Sequence, residues 1–458
     1  MRIKKYDFEF SRRTFLEKTA RGLGGAGVLA SLWPTVASSG DIEKVYPEEL
    51  LNIEAYTKGQ VKVGDEINAD NVEVIKDLID PICYQEVKQD GRTFYIIESE
   101  RNVSNMFSGG FFEATLRNQG MAMIDGTGNC FTKNGEYWLG GLPFPDPQTG
   151  LEAIANLTMS WGRNDAPMYA IPTLSLGPEG NVEYDYELVW AELNCIGLVN
   201  GGEGPYLPGH EGKLRYQATW FTNPNDVKGT AFLNVWPYDQ REFPDLFGYI
   251  PSFKRVRRFP TNQRFEPLVA GLNLFLSDAW ASGDPWMTWG NYKVVGRQPF
   301  LGSTHDQWMG DKPNWAHDLV GGAEGKSYLR VGKALIPEVI VLEAEPLGYP
   351  RAPVSKKRIY IDVRNQISPQ TITFDRRGEL WKSFEPGNGR YVRGDLAFEV
   401  NGSPSWSWNW VISHDIQTNR ISHFYQGEKV SGGYRSNHHV EDMYDSYMTR
   451  TSMRRLGT

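Results

Sequence analysis

The chain has 458 residues, a formal charge of −8, 13% aromatic and 23% charged residues. That acidic balance argues against nucleic acid as a partner. Past the N-terminus no stretch is apolar over the roughly 18 residues a spanning helix needs, so no stable membrane span is expected. Three cysteines, Cys83, Cys130 and Cys195, lie far apart with no CxxC and no metal-ligand spacing, which excludes a disulfide framework. Buried free thiols are the simplest reading, with a pairing of two of them left open.

Residues 1–37 read as a twin-arginine export signal. Arg12 and Arg13 are followed by Phe15 and Leu16, then by a mild apolar stretch from Gly22 to Trp33 and small residues after Pro34. These residues carry a net charge of +4, so their removal takes the chain from −8 to −12. A soluble periplasmic protein is the expected product.

Residues 38–140 are expected to form an N-terminal extension packed on the main sheet. Within it, Val72, Ile75 and Leu78 or Ile79 have helical spacing, with Asp70 or Asn71 as N-cap and Pro81 as the stop. A strand follows at 92–98. From Gly141 the segment GLPFPDPQTGLEAIANL begins a second region, 141–430; its prolines fix an extended entry, and Thr149 precedes a helix.

Strand patterns then dominate, at 182–190, 213–221 and 229–236. The stretch from Gly248 to Phe300 is the most unusual. In an extended chain Phe253, Arg255, Arg257 and Phe259 share a face and alternate with Lys254, Val256 and Arg258, which sets guanidinium groups among aromatics. A second strand follows at Tyr292 to Val295. Further strands are expected at 328–333, 338–343, 358–363, 371–375 and 379–384, the last three as a meander with Leu380 and Trp381 after an Asp375–Gly378 turn. Trp406, Trp408 and Trp410 alternate with polar residues, a period of two that places three indoles on one face. Residues 431–458 form a tail, expected as a short helix or a loose end.

Catalytic chemistry finds little support. His305-Asp306, His317-Asp318 and His414-Asp415 are sequence neighbours, which point apart in a strand, and HExxH, GxSxG and a P-loop lysine are all missing. His438 and His439 read as part of a solvated tail in preference to a metal site. No catalytic residue, no metal ligand and no cofactor is therefore assigned.

Several of these segments, namely GLPFPDPQTGLEAIANL, PSFKRVRR, YKVVGRQPF and KKRIYIDVRNQISPQTITFDRRGELWKSF, resemble a bacterial domain-of-unknown-function family, number thirteen twenty-nine, itself similar to outer-membrane lipoprotein-sorting carriers of the LolA and LolB type. The resemblance spans about residues 68–426. It implies a mainly β fold: a strongly curved antiparallel sheet, or half-open β-barrel, closed by a few helices around a lipophilic molecule. Arg297-Gln-Pro-Phe300 departs from the Tyr-Pro-Tyr-like continuation of that family, as does the twin-arginine signal from its usual secretory one.

The expectation is a non-enzymatic periplasmic carrier or chaperone for a lipophilic small molecule or a lipoprotein acyl chain. Candidate ligand-binding residues are Arg255, Arg257 and Arg258, for an anionic head group, and Trp381, Trp406 and Trp408, for the tail. A solvated strand face and core packing are the plain alternatives for the two groups. Rival functions are a cofactor-bearing periplasmic enzyme exported folded, and an assembly partner of an envelope transporter or outer-membrane protein.

Overall fold

The expected strand runs become fifteen strands of one sheet. In a computed structural model describing residues 33, 42–161, 163–200, 204–260, 264–267, 269–279, 284–304, 310–393, 396–400 and 402–457, they are β1 (Glu66–Ile67), β2 (Phe94–Ile96), β3 (Met168–Leu176), β4 (Val182–Asn194), β5 (Lys213–Asn223), β6 (Ala231–Pro237), β7 (Asp245–Ile250), β8 (Arg255–Phe259), β9 (Gly290–Gly302), β10 (Gly332–Glu345), β11 (Val354–Asp362), β12 (Gln370–Asp375), β13 (Leu380–Arg390), β14 (Trp406–Asp415) and β15 (Arg420–Tyr425). Their order is β1-β2-β10-β11-β12-β13-β14-β15-β3-β4-β5-β6-β7-β8, and β9 pairs with β10. Every pairing is antiparallel except β2 with β10. The sheet is curved and does not close. Pro337 falls in an irregularity of the β9–β10 pairing, between Gln298↔Val339 and Phe300↔Ile336, where its missing N–H breaks no regular ladder.

The helices include α1 (Pro81–Gln89), α2 (Gly109–Arg117), α3 (Gly150–Met159), α4 (Met443–Tyr447) and α5 (Arg450–Leu456). The single helix expected to stop at Pro81 is instead a 3₁₀ turn, Val72–Leu78, followed by α1. Val72, Ile75 and Leu78 are buried at a spacing of three, the repeat of a 3₁₀ helix. Pro81 starts α1 because the first helical position has no use for an N–H, and Asp80 caps it by accepting from the backbone of Ile82 and Cys83 at 2.9 and 3.1 Å. Thr149 caps α3 as its position suggests, in a reciprocal box with Glu152.

The tail folds back as α4 and α5 over one face of β4–β8, where Trp220 stacks on Tyr447 and Met443, Met448 and Met453 are buried. We call this the outer face. His438 is buried beside Ser405, Tyr391 and Phe398, which corrects the reading of both tail histidines as solvated; His439 alone is exposed.

The tryptophan stripe is also corrected. Gly387 pairs with Trp410 and Asn388 with Trp408, so Asn409 is an extra residue on β14 and the period of two breaks there. Trp406, Trp408 and Trp410 therefore enter three separate apolar clusters. A side chain at position 387 would meet the Trp410 indole at 2.1 Å, and only glycine allows that ring to lie across the strand. All three cysteines are free and buried, and burial pushes the thiols of Cys83 and Cys195 up to about 12.

Candidate ligand cavity on the inner face

The opposite, inner face holds a cavity of about 130 Å³. Its wall combines Ile171 of β3, Leu188 and Trp190 of β4, Thr219 and Phe221 of β5, Thr371 of β12, Phe384, Pro386 and Asn388 of β13, Trp408 and Val411 of β14, and Phe424 of β15. Leu157, Trp161, Leu272, Leu274, Ala279, Ile367 and Ser368 complete it. Strands β12 and β5 are six spacings apart in the sheet order. At roughly 4.8 Å per spacing they would lie about 29 Å apart in a flat sheet, so their meeting around one small space measures how far the sheet curls.

Register explains which residues face inward. Pro386 lies opposite Val411, Val411 opposite Phe424, and Ile171 opposite Leu188, which in turn lies opposite Phe221. The bulge at Asn409 supplies the exception, putting Trp408 and Val411 on one side three positions apart.

No charged residue lines the cavity, although buried polar groups stand at both ends. At one end Glu192 accepts from the indoles of Trp161 and Trp190 at 2.6 and 2.7 Å and from Gln217 at 3.2 Å. Arg215 lies in the same region over the Trp236 ring, and burial brings its guanidinium down to about 10 against the pull of Glu192. At the other end the described residues of 264–289 are pinned down. Lys382 pairs with Asp278 and sits 3.6 Å from the Phe275 ring centre, Lys357 donates to Ser277 at 3.1 Å, and Asp284 accepts from Arg264, Tyr349 and Trp289 at 2.7, 2.8 and 3.0 Å. Burial drives Lys357 down to about 8 despite Asp284 and Asp278. Gly271, at φ +80°, fits against the Tyr184 ring, where a side chain would overlap it.

Of the six residues singled out from sequence, only Trp408 lines the cavity. Arg255, Arg257 and Arg258 lie on the edge strand β8 and are exposed; Arg257 stacks on Phe253 at 4.6 Å and Arg258 pairs with Asp245. Arg255 and Arg257 do share one side of that strand with Phe259, as the alternation requires. Trp381 donates to Asp415 at 3.0 Å, and Trp406 is buried against the guanidinium of Arg163. The signal residues Arg12, Arg13, Phe15 and Leu16 lie outside the described residues. Trp33 is described and packs on Phe107 and Phe112.

Reading the sequence missed Asn388 and the leucines of 272–274, because an isolated polar residue among glycines and prolines gives no pattern. It also missed a buried group on the outer face. There Cys83, Glu86 and Glu385 lie close enough for a metal, but Arg92 bridges Glu86 and Glu385 at 2.5 and 2.8 Å, Lys333 reaches Glu385 at 2.5 Å and His414 reaches Glu86 at 2.7 Å. Two cations already balance the two carboxylates, and Arg92 and Lys333 hold Glu385 down at about 2 against the effect of burial.

Residues 66–454 match the family described as protein of unknown function (DUF1329). The chain belongs to that family. Among solved structures, a domain from Vibrio parahaemolyticus named for outer membrane lipoprotein sorting is 16% identical and covers 63% of this chain and 92% of its own, with a TM-score of 0.41. A DUF1329 family protein from Desulfovibrio piger is 11% identical over 66% of this chain and 97% of its own, at 0.42. A LolA superfamily protein from Nitrosomonas europaea is 12% identical over 65% and 97%, at 0.34. No curated protein matches the sequence. Among the described residues of this DUF1329 chain, no helix is long and apolar enough to cross a membrane.

Proposed function

We propose that this DUF1329 protein is a periplasmic, non-enzymatic carrier or chaperone that shelters an apolar segment of a lipophilic molecule or lipoprotein acyl chain in the inner-face cavity. The supporting observation is the wall itself: seven strands, helix α3 and three loops supply mostly apolar side chains to one space that no charge enters, in an interior that buries ion pairs elsewhere. The periplasmic part rests on Arg12 and Arg13 with the apolar stretch behind them.

Size sets the terms of binding. An engineered cavity of about 150 Å³ takes one benzene, so a space of this size holds on the order of six carbons. At about 0.8 kcal/mol per methylene this gives roughly 5 kcal/mol before association costs, half of what a dozen buried methylenes would provide. A longer chain, or a probe with more than one ring, needs Leu272 and Leu274 to move aside.

Titration with N-phenylnaphthylamine, together with native mass spectrometry of protein isolated from its own periplasm, tests the reading. Saturable fluorescence enhancement and a lipid adduct are expected. A silent probe and a bare mass in every preparation would refute it, and a metal or chromophore near one per chain would favour a cofactor-bearing enzyme instead.

A further inference from the structure

The cavity wall is apolar but not featureless. Trp161 and Trp190 direct their indole N–H groups to Glu192, and Ser368 and Thr371 bond to one another at 3.3 Å, Ser368 also to the Gln370 carbonyl at 2.9 Å. Asn388 is different. It is only 4% exposed, lines the cavity, and its Nδ2 has no hydrogen-bond partner. Its backbone is fixed from outside, by the N–H donated to Ser303 at 2.8 Å and a bridge to Thr304, and its inward direction is set by the bulge opposite. A buried amide N–H without a partner is costly, and native interiors keep such groups where a ligand or water completes them.

Resting on the cavity reading above, we infer that Asn388 selects a neutral ligand: an apolar segment carrying one uncharged carbonyl or hydroxyl, as in an acyl ester or a fatty alcohol, in preference to a free carboxylate. The unpartnered Nδ2 is a donor, and a carbonyl oxygen and a hydroxyl oxygen both accept from it, so either group is served. A carboxylate is not. It would enter a wall without a cation, and a buried charge must be paired. The cations at the cavity's two ends do not line it: Arg215 lies over Trp236 and donates to the Thr158 carbonyl, and Lys382 is paired with Asp278.

The test uses competitors sized to the cavity. N-phenylnaphthylamine is displaced from the full chain at pH 8 by toluene, methyl hexanoate, hexan-1-ol or hexanoate. In the wild type the ester and the alcohol should compete at least tenfold better than hexanoate. In Asn388→Leu, close in shape, the ester should lose about three- to tenfold relative to toluene, the range of one ordinary hydrogen bond. Asn388→Ala repeats the comparison should the leucine variant fold poorly, and melting curves check both. Hexanoate competing as well as the ester would overturn the inference, as would an unchanged ester-to-toluene ratio in both variants. If neither the probe nor toluene, followed by its effect on the melting curve, binds the wild type, the cavity reading itself falls.

Discussion

Arginine and histidine each occur in this molecule in two settings, and the contrast shows where the energy lies. On β8, Arg255, Arg257 and Arg258 form the most conspicuous basic run of the sequence beyond its N-terminus and stand in solvent. Arg92, Arg163, Arg215, Arg264 and Arg364 come singly, attract no notice in the sequence, and are all buried. Likewise His439 is exposed while its neighbour His438 is buried. A run of charge survives on a surface because water satisfies it. A lone charge in the interior survives only where the fold has built partners around it, as Glu86 and Glu385 are built around Arg92.

Acid should break this contrast most severely. Burial holds His317 and His423 down at about 4 and His438 at about 3, against an ordinary histidine value of 6.5. The folded state thus refuses protons that the unfolded chain accepts. Stability from these groups is complete above pH 6.5 and is lost as the pH falls towards 4 and, for His438, towards 3. A shift of this size is worth on the order of 3 kcal/mol per histidine. Melting temperature measured from pH 8 to 4 should be level above 7 and fall steeply below 6.5. A level profile down to pH 4.5 would mean that these rings are open to solvent.

Removing one buried arginine comes next. Arg92→Met leaves Glu86 and Glu385 with Lys333 and His414 as their remaining partners, and breaking a buried pair in this way costs about 3 to 5 kcal/mol. Urea unfolding should show that loss, while N-phenylnaphthylamine binding per folded molecule stays as it was, because the cluster lies on the face opposite the cavity. A loss under 1 kcal/mol would mean that the cluster is wetter than its burial indicates.

The same contrast explains what was legible beforehand. Strands such as β4, β5 and β12 declare themselves through local alternation, and the capped start of α3 through Thr149 and Glu152, since the deciding atoms are a few residues apart. The family resemblance also carried the curved, open sheet. Sheet order was not readable, because β15 lies beside β3 across some two hundred and fifty residues. Nor was the break at Asn409, which depends on a ring resting over Gly387, nor the second helix behind Pro81, since proline ends one helix and starts another with equal ease. The cavity is the extreme case. Its wall draws on seven strands, and the residue that gives it a polar feature is an asparagine in a stretch reading EPGNGR.

Filling the cavity should have a smaller effect on stability than either change above and a clear one on binding. Leu274→Trp places a large ring in a space of about 130 Å³. Overpacking of this kind costs about 1 to 3 kcal/mol. The apparent Kd for N-phenylnaphthylamine should rise at least tenfold, about 1.4 kcal/mol. Unchanged affinity would place the probe at another site.

The smallest effect is expected where the sequence is loudest. Arg255→Ala removes an exposed side chain from an edge strand and should change stability by within about 0.5 kcal/mol. Arg257→Ala also removes the stacking on Phe253, itself exposed, a contact worth about 0.5 to 1 kcal/mol at such a site. The double variant should therefore melt within a few degrees of the wild type, with the deficit traceable to Arg257 and reproduced by Phe253→Ala. Since neither arginine lines the cavity, methyl hexanoate should still displace the probe at the wild-type concentration. Long-chain anionic lipids offer the sharper comparison. If the double variant loses affinity for palmitate at low ionic strength while keeping its affinity for the ester, the exposed strand β8 receives a head group that the cavity refuses, and its arginines regain a role in binding without having one in folding.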